Sequence, residues 1–268
     1  MSNTTCNQTE CAQNLINGAC SSKFIQKIAL KALNVPNMEQ AKIKIKSDSE
    51  AKVLEVAKTV ALNDDAIKID EELKINFKMP GYINERVPLT NYDIDGILRQ
   101  WAIHDFPNLF VSEFAMADFD PYYDITRRSI YNLHKQFPNI TCYACVLNTD
   151  VSDGPGKHWV CVFIDLRNED EWSIEYFDSL GDKPFYNINY WMRQNKDYIE
   201  RRLKQKINIY LASKNICHQK LNTECGIYCL YYIRKRLEGT SIEYFSKSPI
   251  SDNFIAEFRK YIFRPINK

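Results

Sequence analysis

Cys225 stands between a polar stretch and an apolar one in HQKLNTECGIYCLYYI, residues 218–233. A helix that begins at residue 225 puts its thiol at the helix N-terminus. Free backbone N–H groups and the positive end of the helix dipole meet there. Both favour the reactive thiolate, and the same N–H groups can hold an oxyanion. Gly226 lets a substrate backbone come close. Cys229, one turn later, lies inside the apolar run and reads as inert core.

A thiol nucleophile needs a base, and the chain offers four histidines. His158 heads the apolar segment HWVCVFIDL (158–166), directly after DGPGK. A polar residue at a strand start, beside a glycine-containing loop, lies at a sheet rim. His104 sits in a helical pattern and His134 beside a lysine. His218 is in a loop with nothing nearby to position it. An imidazole base also needs an acceptor that fixes its tautomer and stabilises the imidazolium. Asp178 closes the next strand pattern, EWSIEYFDS (171–179). If these two segments form an antiparallel hairpin about a turn at 167–170, the start of one lies beside the end of the other. Asp178 then neighbours His158. The plain alternative is a carboxylate that caps the turn before Gly181. Gln219 lies in the loop that enters the Cys225 helix, where its amide can reach the same oxyanion as the Cys225 N–H. Alone, a loop glutamine is ordinary solvated surface.

The elements that must carry these groups are legible in outline. SSKFIQKIALKAL places Phe24, Ile25, Ile28, Ala29 and Leu33 on one helical face, with Ser21 or Ser22 as cap. DSEAKVLEVAKTVAL repeats the pattern, DEELKINFKM suggests a third piece, and Pro80-Gly81 breaks the chain. Residues 1–80 therefore read as a helical N-terminal arm and 81–268 as the core. The arm's apolar face either packs on the rest of the protein or meets a membrane surface or partner. In the core, YDIDGILRQWAIHDF is an amphipathic helix and TCYACVLNTD (141–150) a strand. YWMRQNKDYIERRLKQK (190–206) is a helix with a basic, solvated face, and INIYLA (207–212) a strand. CGIYCLYYIRKRLEG (225–239) is an apolar helix ending at Gly239, and SDNFIAEFRKYIF (251–263) a last helix capped by Ser251 or Asp252. This mixture defines an α+β core.

Composition narrows the classes. The 268 residues carry a formal net charge of +1, which argues against a protein held to nucleic acid by bulk charge. No apolar run is long enough to insert into a membrane, and the N-terminus lacks an apolar signal segment. A reducing compartment follows, with thiols as the default for the nine cysteines. The glycosylation patterns at Asn3, Asn7 and Asn139 then read as chance matches. Cys142 and Cys145 form a CxxC, but on a strand they point to opposite faces and have no second pair to complete a zinc site.

GKHWVCVFID, SIEYFDSLG and HQKLNTECGIYCLYYI together resemble the signature of the SUMO-protease and adenovirus-protease superfamily of cysteine peptidases. Its order, His-Trp, Asp or Asn, Gln, Cys-Gly, stands here as His158-Trp159, Asp178, Gln219, Cys225-Gly226. The chain is similar in particular to the viral polyprotein-processing branch, in which a helical arm precedes the core. That branch has asparagine as third triad member, where Asp178 stands here as in SUMO proteases. The resemblance implies a papain-like core of the SUMO-protease type, a central mixed sheet flanked by helices. It implies that Cys225 attacks the scissile carbonyl, His158 moves the proton, Asp178 orients His158, and Gln219 with the Cys225 N–H binds the oxyanion. Trp159, as a lid over a narrow cleft, Gly226 and Asn148 are the substrate-binding candidates. No metal or organic cofactor is implied. The expected activity is maturation of viral structural polyproteins at Gly-Gly-Xaa sites, in the cytoplasmic virus factories of the host and in the virion. The alternatives are a deconjugase of SUMO or another ubiquitin-like protein, and a catalytically idle module that binds one. The need for an activating peptide or nucleic acid, and the oligomeric state, stay open.

Overall fold

The computed structural model describes residues 10–12, 20–120 and 129–266, and the Asn3 and Asn7 patterns lie outside them. The chain divides into two compact units: Met1–Ile83 with Ile103–Asp105 and Lys260–Lys268, and Asn84–Ala102 with Phe106–Arg259.

In the first unit, α1 (Lys23–Leu33) is capped by Ser22, whose side chain accepts from the Ile25 N–H. Its buried stripe is Ile25, Ala29 and Leu33. Phe24, expected on that face, is 61% exposed, because it falls outside the arc centred on those three. α2 (Met38–Ile45), α3 (Glu50–Val60) and α4 (Asn63–Asn76) complete the helices. Their alanines, Ala41, Ala51 and Ala57, let the helices approach closely around Leu54, Ile69 and Phe77. The arm thus owns a core, and the apolar stripe of α1 is used up inside it. Cys11 and Cys20 form a disulfide, which corrects the expectation of thiols throughout. The unit itself brings them together: Cys11 bridges Phe77, and the Cys20 N–H donates to the buried Glu50 carboxylate. Cys142, Cys145, Cys161, Cys217, Cys225 and Cys229 are free thiols. The Pro80-Gly81 break is a short strand, β1, paired in parallel with Arg264–Pro265. A Cβ at Gly81 would lie 2.4 Å from Phe263 Cδ1, so only glycine allows this approach. That pairing draws the end of the chain, read from sequence as protease core, into the helical unit.

The second unit opens with most of α5 (Asn91–His104), where Thr90 and Asp93 exchange hydrogen bonds at the N-terminus. β2 (Leu109–Val111), β3 (Ala115–Met116), α6 (Ile130–Gln136), β4 (Cys142–Asn148), β5 (Trp159–Asp165) and β6 (Ser173–Phe177) follow. α7 (Tyr186–Leu203), β7 (Asn208–Leu211), α8 (Cys225–Leu237), α9 (Tyr244–Lys247) and most of α10 (Asp252–Ile262) complete it. The strands form one mixed sheet in the order β2-β4-β5-β6-β7, with β3 also beside β4. β4, β5 and β6 are an antiparallel meander, while β2, β3 and β7 pair in parallel. The β6–β7 crossover is α7, as a parallel connection requires. One sheet face, with Val160, Val162, Ile164 and Tyr176, packs on Leu133, Ile188, Trp191 and Met192 of α6 and α7. The opposite face carries Cys161, Phe163 and Phe177 towards α8, where Phe177 stacks on Tyr232 at 4.5 Å. Burial on both faces explains why every residue of β4 is buried.

An ionic network fixes α8 on the sheet. Glu175, fully buried on β6, accepts two hydrogen bonds from Arg236, each 2.8 Å, and one from the Tyr232 hydroxyl at 2.5 Å. α8 then ends at Leu237, and Gly239 takes the left-handed conformation at φ +87°.

Candidate active site

Cys225 is the first residue of α8 and is buried. No side chain caps that helix N-terminus. The preceding Glu224 is instead held by Arg259, whose Nη2 lies 2.9 Å from Glu224 Oε2 and also donates to the Val87 carbonyl at 2.6 Å. The α8 entry is anchored by this buried ion pair, and its first N–H groups stay outside the helical hydrogen-bond ladder. Gly226 follows Cys225 in the first turn of α8. A Cβ there would lie 3.2 Å from Leu89 Cβ and 3.3 Å from Ile94 Cδ1. Close packing of α8 against these residues favours a glycine at this position.

His158 precedes β5 and Asp178 follows β6, so the hairpin register, Cys161 opposite Phe177, brings them to the same rim. His158 Nε2 lies 2.7 Å from Asp178 Oδ1. The same Oδ1 accepts the Leu180 N–H at 2.8 Å, and the Gly181 N–H donates to the Asp178 carbonyl at 3.0 Å. Asp178 therefore both holds the imidazole and caps the turn. Ser213 locks it from behind: its hydroxyl accepts from the Asp178 N–H and donates to the Asp178 carbonyl, at 3.1 and 2.6 Å. Burial pushes the His158 pKa down, but hydrogen bonds with Asp178 and with the Cys225 thiol outweigh it and raise the pKa to about 10. With Nε2 committed to Asp178, Nδ1 is the nitrogen left for the thiol proton.

Gln219 is buried, unlike an ordinary loop glutamine. Its Oε1 accepts the Ser179 hydroxyl at 2.7 Å, and its Nε2 donates to the Leu221 carbonyl. One Nε2 proton is engaged in this way and the second remains for another acceptor. His218 is fully buried, with Nδ1 accepting the Ile250 N–H at 3.0 Å. A definite position thus exists where the sequence offered none. His104 and His134 face the Ile75 and Ile140 carbonyls.

Trp159 follows His158 as the first residue of β5 and is buried. Its indole N–H donates to the Leu89 carbonyl at 3.0 Å, and its ring meets Phe114 edge-on. Asn148 is buried at the end of β4. Its Oδ1 accepts the N–H groups of Asp150 and Lys157, both at 3.0 Å, so it shapes the loop before His158. Ser179, Ser213 and Arg259 escaped the sequence reading. Each acts on a partner far along the chain, and none sits in a motif of its own. The Ser179 position was legible only as part of a turn, FDSLG.

A thiol at a helix N-terminus, an imidazole bound to a carboxylate, and a buried amide tied to the residue after that carboxylate are the parts of nucleophilic acyl transfer. The comparisons agree. Residues 112–268 match the Ulp1 protease family, C-terminal catalytic domain. The chain belongs to this family and is a cysteine protease of the viral kind. A cysteine protease of African swine fever virus is 36% identical over 279 residues, covering 97% of both chains. A crystal structure of that virus's protease matches with a TM-score of 0.76 at 33% identity, covering 96% of each chain. A thiol protease of Acanthamoeba polyphaga mimivirus is 27% identical over 200 residues, 73% of this chain and 63% of that one.

Proposed function

We propose that the chain cleaves viral structural polyproteins after Gly-Gly, with Cys225 as nucleophile. His158 takes the thiol proton through Nδ1 and returns it to the leaving amine. Asp178 holds the ring through Nε2 and stabilises the imidazolium. The Cys225 N–H and the free proton of Gln219 Nε2 receive the oxyanion. The observation that carries this reading is the 2.7 Å His158–Asp178 contact at the rim where the base was expected. Gly-Gly selectivity rests on the family resemblance and on Trp159, a rigid indole next to His158. Structural polyproteins are the proposed partners, and the infected cytoplasm and the virion the proposed sites of action.

A second reading has one observation in its favour: relatives from African swine fever virus isolates, 36% identical, are named SUMO-1 cysteine proteases. One experiment separates the two. Unfolded peptides with Gly-Gly-Xaa sites are compared with folded ubiquitin-like fusions carrying the same Gly-Gly. Polyprotein processing requires efficient cleavage of the peptides. Efficient cleavage of the folded fusions alone replaces it with deconjugation.

A further inference from the structure

The Gln219 loop is held from two sides. On one, the N–H groups of His218 and Gln219 both donate to the Ser179 carbonyl, at 2.8 and 2.9 Å. On the other, three groups grip the segment that starts α10. The Ile250 N–H donates to His218 Nδ1 at 3.0 Å, and the Lys220 N–H to Asp252 Oδ2 at 3.1 Å. The Tyr228 hydroxyl lies 2.8 Å from the Ile250 carbonyl and 3.1 Å from Asp252 Oδ1. His218 is the only one of these groups next to Gln219 in sequence that uses its side chain. Its ring is fully buried between Phe177 and Tyr228, with centroids 5.6 and 6.3 Å away.

The chemistry of the contact is one-sided. An N–H donor faces Nδ1, so Nδ1 must be the unprotonated nitrogen. A second proton on the ring must displace the Ile250 N–H. We propose that His218 is a positioning residue for Gln219: its neutral imidazole latches the Gln219 loop to Ile250, and protonation of the ring opens the latch and disarms the oxyanion hole. This rests on the reading of Gln219 as an oxyanion donor. The surroundings set where the latch opens. Tyr228 on α8, Asp252 at the start of α10, and Lys220 and Cys217 on the loop itself are the titratable groups around it. Phe177 of β6 and Phe245 of α9 add none. Burial first, with a smaller opposing effect of the Phe245 backbone and a further lowering by Lys220, brings the His218 pKa down to about 4. The latch is therefore closed at neutral pH and opens only in acid.

Two rates measured on the full chain test this: kcat on a Gly-Gly-Xaa peptide, and alkylation of Cys225 by iodoacetamide, which forms no oxyanion. His218→Phe is expected to lower kcat about tenfold, part of the loss of one oxyanion donor, and to leave alkylation unchanged. His218→Asn, whose Oδ1 can accept the Ile250 N–H without titrating, is expected to restore kcat. In a Gln219→Ala background, His218→Phe is expected to add no further loss. As pH falls towards about 4, the ratio of kcat to alkylation rate should drop for the native chain and stay level for His218→Asn. Equal losses with and without Gln219, or a ratio that drops alike in His218→Asn, would overturn the proposal. If His218→Phe does not fold, the acid ratio in His218→Asn decides alone. Full kcat in Gln219→Ala would remove the oxyanion reading itself, a separate outcome.

Discussion

The Ser179 hydroxyl donates to Gln219 Oε1 at 2.7 Å, across forty positions of sequence. Ser179 is the residue after Asp178, so the segment that holds His158 also holds the amide. Because Oε1 is occupied by a donor, the amide is oriented with Nε2 on the other side. Ser179→Ala leaves a buried acceptor unpaired and lets the amide turn. Turnover should fall about tenfold, equivalent to roughly 1.4 kcal/mol of transition-state stabilisation. Gln219→Ala should cost about 10²–10³-fold, the usual effect of one lost oxyanion donor. Alkylation of Cys225 should be unchanged in both. A slower alkylation in either variant would mean that the residue supports the thiol or the fold.

The His158–Asp178 contact has a pH signature. Against burial, which lowers it, hydrogen bonds with Asp178 and Cys225 raise the His158 pKa to about 10 from the ordinary 6.5. Stabilisation by the charged ring is complete below pH 6.5 and is lost as pH rises towards about 10. Activity that needs the imidazolium as proton donor should show its alkaline limb in the same range. Asp178→Asn removes the carboxylate charge, and the limb should move to lower pH by about one unit or more. Asp178→Ala should also retain more activity than His158→Ala, because it leaves a base that is merely misaligned. An alkaline limb that stays in place in Asp178→Asn would assign it to another group.

Much of this site could be read before the fold was known, for a physical reason. Cys225, His158 and Asp178 each lie at the end of a secondary element, and element ends are marked by sharp changes in hydrophobic pattern. The hairpin then fixed the His158–Asp178 proximity by register alone. Gly226 and Asn148 are ambiguous in sequence, because a glycine or asparagine near a nucleophile serves packing or loop shape as readily as substrate. The structure adds Leu89 and Ile94 as packing neighbours of Gly226, and Asp150 and Lys157 as loop partners of Asn148. The disulfide was illegible for a similar reason: tertiary placement of Cys11 by Phe77 and of Cys20 by Glu50 brings the sulfurs together. His218 looked unsupported because its partner, Ile250, lies on a different element.

Cys225 should be the most readily alkylated of the cysteines set into the sheet and α8. Burial pushes the Cys142 and Cys145 pKa values up to about 12, and burial with Cys161 alongside raises that of Cys229 well above the usual thiol range. Those thiols stay protonated and enclosed. Cys217 is exposed and is the competing target. In a Cys217→Ser background, mild iodoacetamide followed by peptide mapping should place the first label on Cys225, with activity lost in proportion. Loss of activity with the label on another cysteine would sink the assignment of the nucleophile.

Trp159 should decide how strictly glycine is required at the cut. A cleft that admits only glycine excludes a β-carbon by steric conflict, and that conflict is severe only if the wall cannot move. The Trp159 ring is held at two points. Its N–H is bonded to the Leu89 carbonyl, and its ring abuts Phe114 at a centroid distance of 6.3 Å. Leu89 in turn packs against the Gly226 position at the α8 N-terminus, so the brace leads back to the turn that carries Cys225. Trp159→Phe keeps an aromatic wall but loses the Leu89 bond; it should raise the relative rate on Gly-Ala-Xaa peptides modestly. Trp159→Ala removes the wall and should raise that ratio much more, while lowering turnover of Gly-Gly-Xaa through looser alignment. The measurement is the kcat/KM ratio for paired peptides that differ only in that one methyl group. An unchanged ratio in Trp159→Ala, with the protein folded, would move the glycine requirement to another wall of the cleft.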